Sequence, residues 1–341
     1  VQKQHEGLTV ELGGFQSLEK CLITGGAGFI GSHLVEACLE KGYQVVVLDD
    51  LTTGKMENLP LEPAGLEFVK GSINDRALLL ALKEKHPDIS FLFHLAAIAS
   101  VVRSMENPIA THEVNFQGTL LLLEVFKGSR LKKFVYASSA AVYGNTSVVP
   151  VGESACPDPL SPYGADKLQG EHYLRIFNDA FQVPTVACRF FNVFGERQDP
   201  SSPYSGVISI FFDRTVAKRK GKESALTIFG DGKQSRDFIY VRDVVRAWLH
   251  LAEEPSIRGQ VYNIGYGKRT TILELADKVK NLIGVPMDVI FEKERKGDAL
   301  HSEASIDKLK STGFEFSYDL DDGLKRLGRF LTEGDDQGDT E

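Results

Sequence analysis

The sequence has no apolar stretch long enough to cross a bilayer; runs such as Leu120 to Val125 fall far short of the roughly 20 residues a membrane helix needs. Its opening residues lack a basic segment followed by an apolar one, so a secretory leader is not expected. Cysteine is scarce, with 4 in 341 residues, and Cys21, Cys38, Cys156 and Cys188 show neither metal-ligand spacing nor the density of a disulfide framework. They read as small apolar residues in a reducing compartment, so a cytoplasmic protein without a metal is expected. Basic residues are outnumbered, 39 against 47 acidic ones, giving a formal charge of −8. That balance argues against nucleic acid as a partner, although one basic cleft for a phosphorylated small molecule is compatible with it. The 42% hydrophobic and 25% charged fractions are those of a globular protein, and the length suffices for one large core or two cooperating lobes.

From Lys20 onward, apolar strands alternate with helical spacing. Strands are expected at 21–24, 43–48, 66–69, 91–95, 133–137 and 183–190, and helices at 29–40, 76–85, 113–127 and 163–180. Continuous apolar strands between helices predict an α/β fold, a parallel sheet covered on both faces. After Asn192 the rhythm breaks. A Pro/Ser/Gly-rich surface loop over 195–206 is followed by helices at 206–218, 243–252 and 272–283 and a short strand at 226–229. Residues 1–19 read as an irregular lead-in and 332–341 as a disordered acidic tail.

The first strand runs into Thr24-Gly25-Gly26-Ala27-Gly28-Phe29-Ile30-Gly31, which opens the first helix. Glycine permits the tight turn and the close approach of backbone to a pyrophosphate, and a helix N-terminus offers free N–H groups to it. Asp49 closes the next strand about 20 residues on, where a carboxylate accepts hydrogen bonds from the adenosine ribose. It would repel a 2′-phosphate, and no arginine lies between Val45 and Thr53, so the expected cofactor is NAD rather than NADP.

Tyr163 and Lys167 stand at i and i+4, on one side of a helix. A phenol ionises near pH 10 unless a neighbouring cation favours the phenolate, and a lysine so placed lets Tyr163 act as a base toward an alcohol. Upstream, Phe134–Ala137 is an apolar strand ending in Ser138 and Ser139. Carboxyl ends of parallel strands face the ligand crevice. Ser139 is the candidate to hydrogen-bond the reacting oxygen, with Ser138 as the alternative.

Together these segments resemble the extended short-chain dehydrogenase/reductase family, specifically its nucleotide-sugar epimerases and dehydratases. The resemblance spans 20–327 and also rests on His94–Ala97, Ser138–Gly144, Arg189–Gly195 and Arg236–Val241. It implies a doubly wound parallel sheet of Rossmann type with a smaller C-terminal substrate lobe. The expected division is 20–191, with 236–264 returning to it, for NAD, and 192–235 with 265–331 for substrate. It gives Ser139, Tyr163 and Lys167 the catalytic roles. Cofactor contacts are expected from Gly25, Gly28, Phe29, Ile30, Gly31, Asp49, Ser72, Ile73, Leu95, Ala96, Ala97, Asn115, Tyr163, Lys167 and Phe190. Substrate contacts fall to Ser139, Asn192, Arg236, Arg295, Asp298 and Ser302. Ser72 stands where the family usually has aspartate, and Ala99 where some epimerases have lysine.

The same resemblance narrows the reaction. Sugar 4,6-dehydratases carry an Asp–Glu pair, and nucleotide-sugar decarboxylases a glutamate, where this chain has Ala140-Ala141. What remains is reversible oxidation at C4, the isomerase reaction of a UDP-sugar 4-epimerase acting on UDP-glucose/galactose, UDP-GlcNAc/GalNAc or both. A UDP-glucuronic acid 4-epimerase and a 4-keto-sugar reductase are the alternatives, with a non-enzymatic NAD sensor disfavoured by the intact catalytic set. Ser302 occupies a position that is a bulky tyrosine where only plain hexoses turn over, which suggests room for a 2-acetamido group. The helices at 113–127 and 163–180 resemble those that pair in family homodimers.

Overall fold

The computed structural model describes residues 19–61, 63–200, 206–294 and 300–333. The expected lead-in over 1–18, the tail beyond 333, Arg295 and Asp298 lie outside them. Strands β1 (Lys20–Thr24), β2 (Gln44–Asp49), β3 (Leu66–Lys70), β4 (Ile89–His94), β5 (Lys133–Ser139) and β6 (Thr185–Phe190) alternate with helices. These are α1 (Phe29–Glu40), α2 (Arg76–Lys85), α3 (Val101–Glu106), α4 (Pro108–His112), α5 (Gly118–Phe126) and α6 (Pro162–Phe181). The second half adds β7 (Asn192–Phe194), α7 (Val207–Arg219), β8 (Leu226–Phe229), β9 (Ser235–Tyr240), α8 (Val241–Glu253) and β10 (Gln260–Ile264). β11 (Arg269–Thr271), α9 (Ile272–Ile283), β12 (Val289–Glu292), α10 (Asp307–Lys310) and α11 (Leu320–Glu333) complete it.

A seven-stranded sheet runs β3-β2-β1-β4-β5-β6-β10, every pair parallel. Because side chains alternate along a strand, each strand feeds both faces. Cys21, Ile23, Val47, Phe93 and Val135 pack with Leu34, Val244 and Trp248 of α1 and α8. Leu22, Val46, Leu92, Phe134 and Tyr136 pack with Leu79, Leu122, Leu123 and Leu174 of α2, α5 and α6. Burying each such side chain contributes roughly 1.5–3 kcal/mol. That is why the sequence shows unbroken apolar strands here. A smaller region joins β7 and β11 to β9 and β12 to β8, around Phe194, Phe211, Phe212, Leu275, Leu324 and Leu327.

Several boundaries differ from expectation. The helix predicted over 113–127 is α5 preceded by a wider π-turn at Glu113–Gln117 and by α4. β6 begins at Thr185 rather than Val183, because Pro184 has no N–H to give the ladder. Thr332 and Glu333, expected in the tail, are the last residues of α11; the Thr332 hydroxyl donates to the Gly328 carbonyl at 2.9 Å. The short elements β9 to β12, α3, α10 and α11 lack the length or context that periodicity needs.

Candidate active site

Strand order reverses between β1 and β4, the point at which open parallel sheets form a ligand crevice at their carboxyl ends. The glycine loop sits there. Gly25 has φ +72°, and a Cβ on it would lie 2.7 Å from the Ala96 nitrogen. A Cβ on Gly31 would lie 2.1 Å from the Gly25 oxygen, so helix and loop are in backbone contact. Gly28 is the N-cap of α1 and supplies no side-chain acceptor, which leaves the positive helix end to an anion. Phe29 and Ile30 are half-buried in the first turn of that helix.

Asp49, 7% exposed at the end of β2, accepts from the Ala27 N–H at 2.9 Å and the Leu51 N–H at 2.8 Å. Burial raises its pKa against the pull of those two donors. The carboxylate is therefore locked beside the glycine loop. On the far side of β1, buried His94 is held between the Thr24 hydroxyl (Nδ1 to Oγ1, 2.7 Å) and the Thr119 hydroxyl (Nε2 to Oγ1, 2.9 Å). Burial, then the charge of Lys167, pushes its pKa well down, so the ring is neutral. Leu95, Ala96 and Ala97 follow it as a half-buried wall. Asn115 in the π-turn ties that wall down, accepting from the Ile98 N–H at 2.7 Å and donating to the Ile98 carbonyl at 3.1 Å. Ser72 is half-buried, whereas Ile73 is 4% exposed and wedged against Gly118. Phe190 lies opposite Ser139 in register and packs on Trp248.

The reactive group forms where β5 meets α6. Ser161 caps α6 by accepting from the Gly164 N–H at 3.1 Å, and Pro162 starts the helix, which fixes where Tyr163 emerges. Burial raises the Tyr163 pKa and a hydrogen bond with Ser139 lowers it again. Ser139 also accepts from the Ala141 N–H at 3.1 Å, which holds its oxygen in place. Lys167, 3% exposed, lies with its amine 5.9 Å from the Tyr163 ring centroid and 4.8 Å from that of Tyr136. Burial depresses its pKa to about 7, with Asp166 and then Glu171 opposing the fall.

Ser138 points to the opposite face. Its hydroxyl donates to Glu171, which also receives Arg189 Nε at 2.9 Å and Nη2 at 2.7 Å. It is therefore part of a buried ion pair and not the alternative to Ser139. Sequence reasoning missed Glu171; a carboxylate one turn beyond Lys167 in an otherwise apolar helix face was the available signal.

On the substrate side, Asn192, Arg236 and Ser302 converge on β9. Asn192 Nδ2 donates to the Asp237 carbonyl at 3.1 Å, Arg236 Nη1 to the Ser235 carbonyl at 2.9 Å, and the Ser302 N–H to the same carbonyl at 3.1 Å. Asp237 had no role assigned from sequence. It is fully buried and accepts from the N–H groups of Tyr266, Gly267 and Ala304, all within 3.0 Å, pinning three segments together. Burial raises its pKa to about 6 against those donors. No group of three or more metal-ligating side chains exists among the described residues.

A nucleotide crevice at the switch point and a Ser–Tyr–Lys set at the end of β5 define an enzyme of the short-chain dehydrogenase/reductase class, working with a dinucleotide. The chain belongs to the NAD dependent epimerase/dehydratase family, whose model matches residues 21–265. It is 36% identical to the UDP-glucose 4-epimerase of Mycolicibacterium smegmatis over 92% of this chain and 98% of that one. It resembles the solved UDP-N-acetylglucosamine 4-epimerase of Methanobrevibacter ruminantium in complex with UDP-N-acetylmuramic acid. The TM-score is 0.87 at 36% identity, covering 94% of this chain and 100% of the other. The UDP-glucose 4-epimerase of Thermotoga maritima, solved with UDP-glucose, gives 0.86 at 38% identity, covering 92% and 99%.

Proposed function

We propose that this chain is an NAD-dependent 4-epimerase of a UDP-sugar. The observation that carries the reading is the Ser139–Tyr163–Lys167 group at the end of β5, followed by a turn in which Ala140 and Ala141 supply no acid or base for elimination or decarboxylation. The glycine loop fits NAD: any side chain at Gly25 or Gly31 would collide with backbone. Gly25, Gly28 and Gly31 with the N-terminus of α1 would hold the pyrophosphate, Asp49 the ribose, and the Leu95–Ala97 wall the nicotinamide end. Bound NAD supplies a reversible hydride acceptor and donor for C4 of the sugar.

The protein's own work is proton handling and orientation. Tyr163 takes the 4-hydroxyl proton, assisted by the Lys167 charge, while Ser139 hydrogen-bonds the same oxygen. Asn192 and Arg236 hold the nucleotide diphosphate, leaving the hexose free to turn between the two half-reactions. Tyr163 then returns the proton to the oxygen of the opposite configuration. Ser302, small and beside β9, supports a pocket that takes a 2-acetamido sugar as well as a plain hexose. Half-buried Leu120 and Leu121 on α5, with exposed Ile176 and Phe181 on α6, support a homodimer through these helices. Four free cysteines support a cytoplasmic setting.

The test incubates purified protein with UDP-glucose and UDP-GlcNAc separately, without added cofactor, and resolves the products. C4 epimers from both are expected, with Ser302→Tyr cutting UDP-GlcNAc conversion at least about tenfold relative to UDP-glucose. No epimer from either, with turnover of a keto sugar only on supplying NADH, would overturn the proposal in favour of a reductase.

A further inference from the structure

Every charged or titratable group around Lys167 can be named. On β5 the Tyr136 ring lies 4.8 Å from its amine, and on α6 the Tyr163 ring lies 5.9 Å away. On β4, His94 is neutral. On β6, Arg189 approaches only through Glu171. Two carboxylates on α6 remain: Glu171, one turn after the lysine, and Asp166, immediately before it.

These two are committed differently. Both oxygens of Glu171 are taken by Arg189, and one also by Ser138. Asp166, 4% exposed, has its Oδ1 2.7 Å from His112 Nδ1 on α4, while Oδ2 is buried without a hydrogen-bond partner among the described residues. His112 is itself braced by the Phe116 ring, 5.3 Å away between centroids. An unsatisfied carboxylate oxygen in a low-dielectric interior is costly, and a serine or alanine would fill the position without that cost.

We propose that Asp166, fixed by His112, is a positioning residue for Lys167, its carboxylate keeping the lysine amine charged so that the amine can favour the Tyr163 phenolate. This rests on the epimerase reading and adds to it a residue outside the Ser–Tyr–Lys set. Burial alone drives the lysine toward its neutral form, and a neutral amine offers a phenolate nothing. Glu171, whose charge is shared with Arg189, opposes that drift less than Asp166 does. The His112 contact sets where the Asp166 charge sits.

The test replaces Asp166 by Asn, which keeps the shape and removes the charge, and by Glu, which keeps the charge. The kcat–pH profile of UDP-sugar conversion should show its basic limb displaced by about one unit toward lower pH in Asp166→Asn. Asp166→Glu should recover at least half of that displacement. In parallel, phenolate absorbance is titrated without substrate on each protein, with Tyr163→Phe identifying the tyrosine. The Tyr163 midpoint should rise in Asp166→Asn. An unshifted basic limb with an unshifted Tyr163 midpoint would overturn the proposal, as would a kcat lowered by one factor at every pH. If the native protein epimerises no sugar, the functional reading fails and the phenolate titration still decides the role of Asp166. If Asp166→Asn does not fold, Asp166→Ser is read by the same titration.

Discussion

Two buried cations occupy neighbouring elements, and the protein treats them in opposite ways. Arg189 on β6 is held by Glu171 through two hydrogen bonds and packs its guanidinium 4.6 Å from the Tyr143 ring centroid; these partners raise its pKa despite burial. Lys167 on α6 has aromatic rings nearby and carboxylates that only partly offset its burial, and its pKa falls to about 7. The arginine is neutralised and structural. The lysine is left under-compensated, which is what a residue that must stabilise a developing phenolate requires. Ser138 and Ser139 repeat the contrast one residue apart, the first spent on the ion pair and the second on Tyr163.

The comparison breaks if mutations do not separate the two sites. The largest expected effect is on catalysis: Lys167→Met and Tyr163→Phe should each lower kcat about 10²–10⁴-fold while the fold persists, checked by product formation alongside circular dichroism. A comparable loss in Glu171→Gln with intact stability would erase the distinction. That variant should instead lose roughly 3–5 kcal/mol in denaturant unfolding, because it strands the Arg189 charge in the interior.

The serines sharpen the contrast at smaller scale. Ser139→Ala should cost on the order of tenfold or more in kcat with little change in unfolding free energy, while Ser138→Ala should cost about 1 kcal/mol of stability with kcat within a factor of about three. Steady-state kinetics and unfolding of the pair decide this.

The smallest expected effect is a pH slope. Lys167 binds fewer protons folded than unfolded between about pH 7 and its ordinary 10.5, so its contribution to stability rises as pH rises through that window. Lys167→Met should lose that slope and be the more stable protein at neutral pH, by about 1 kcal/mol or more. Thermal unfolding at several pH values measures it, and an unchanged slope would place the lysine in a water-like environment.

Much of this was legible beforehand, for physical reasons. Parallel strands buried on both faces leave unbroken apolar runs, so β1 to β6 stood out; the glycine loop and the Tyr163–Lys167 spacing are local and visible. Long-range pairing was not. Arg189 sits in a motif already singled out, yet its partner comes from another element, and Asp237 pins segments that adjoin only in space. Strand alternation was enough to separate Ser138 from Ser139, since Ser138 shares parity with Phe134 and Tyr136, which pack toward α6. β9 to β12 and α10 are too short for periodicity to register. The strongly amphipathic α11 was long enough and was passed over because its acidic flank reads as tail.

The most direct test of the account follows the C4 hydrogen. UDP-glucose, or UDP-GlcNAc if that is the better substrate, is deuterated at C4 and incubated with the protein in ordinary water without added cofactor. The account predicts a C4 epimer that keeps its deuterium, since the hydrogen leaves and returns as hydride while Tyr163 handles only the hydroxyl proton. Loss of the label to water, or release of a keto sugar with reduced cofactor, would contradict it.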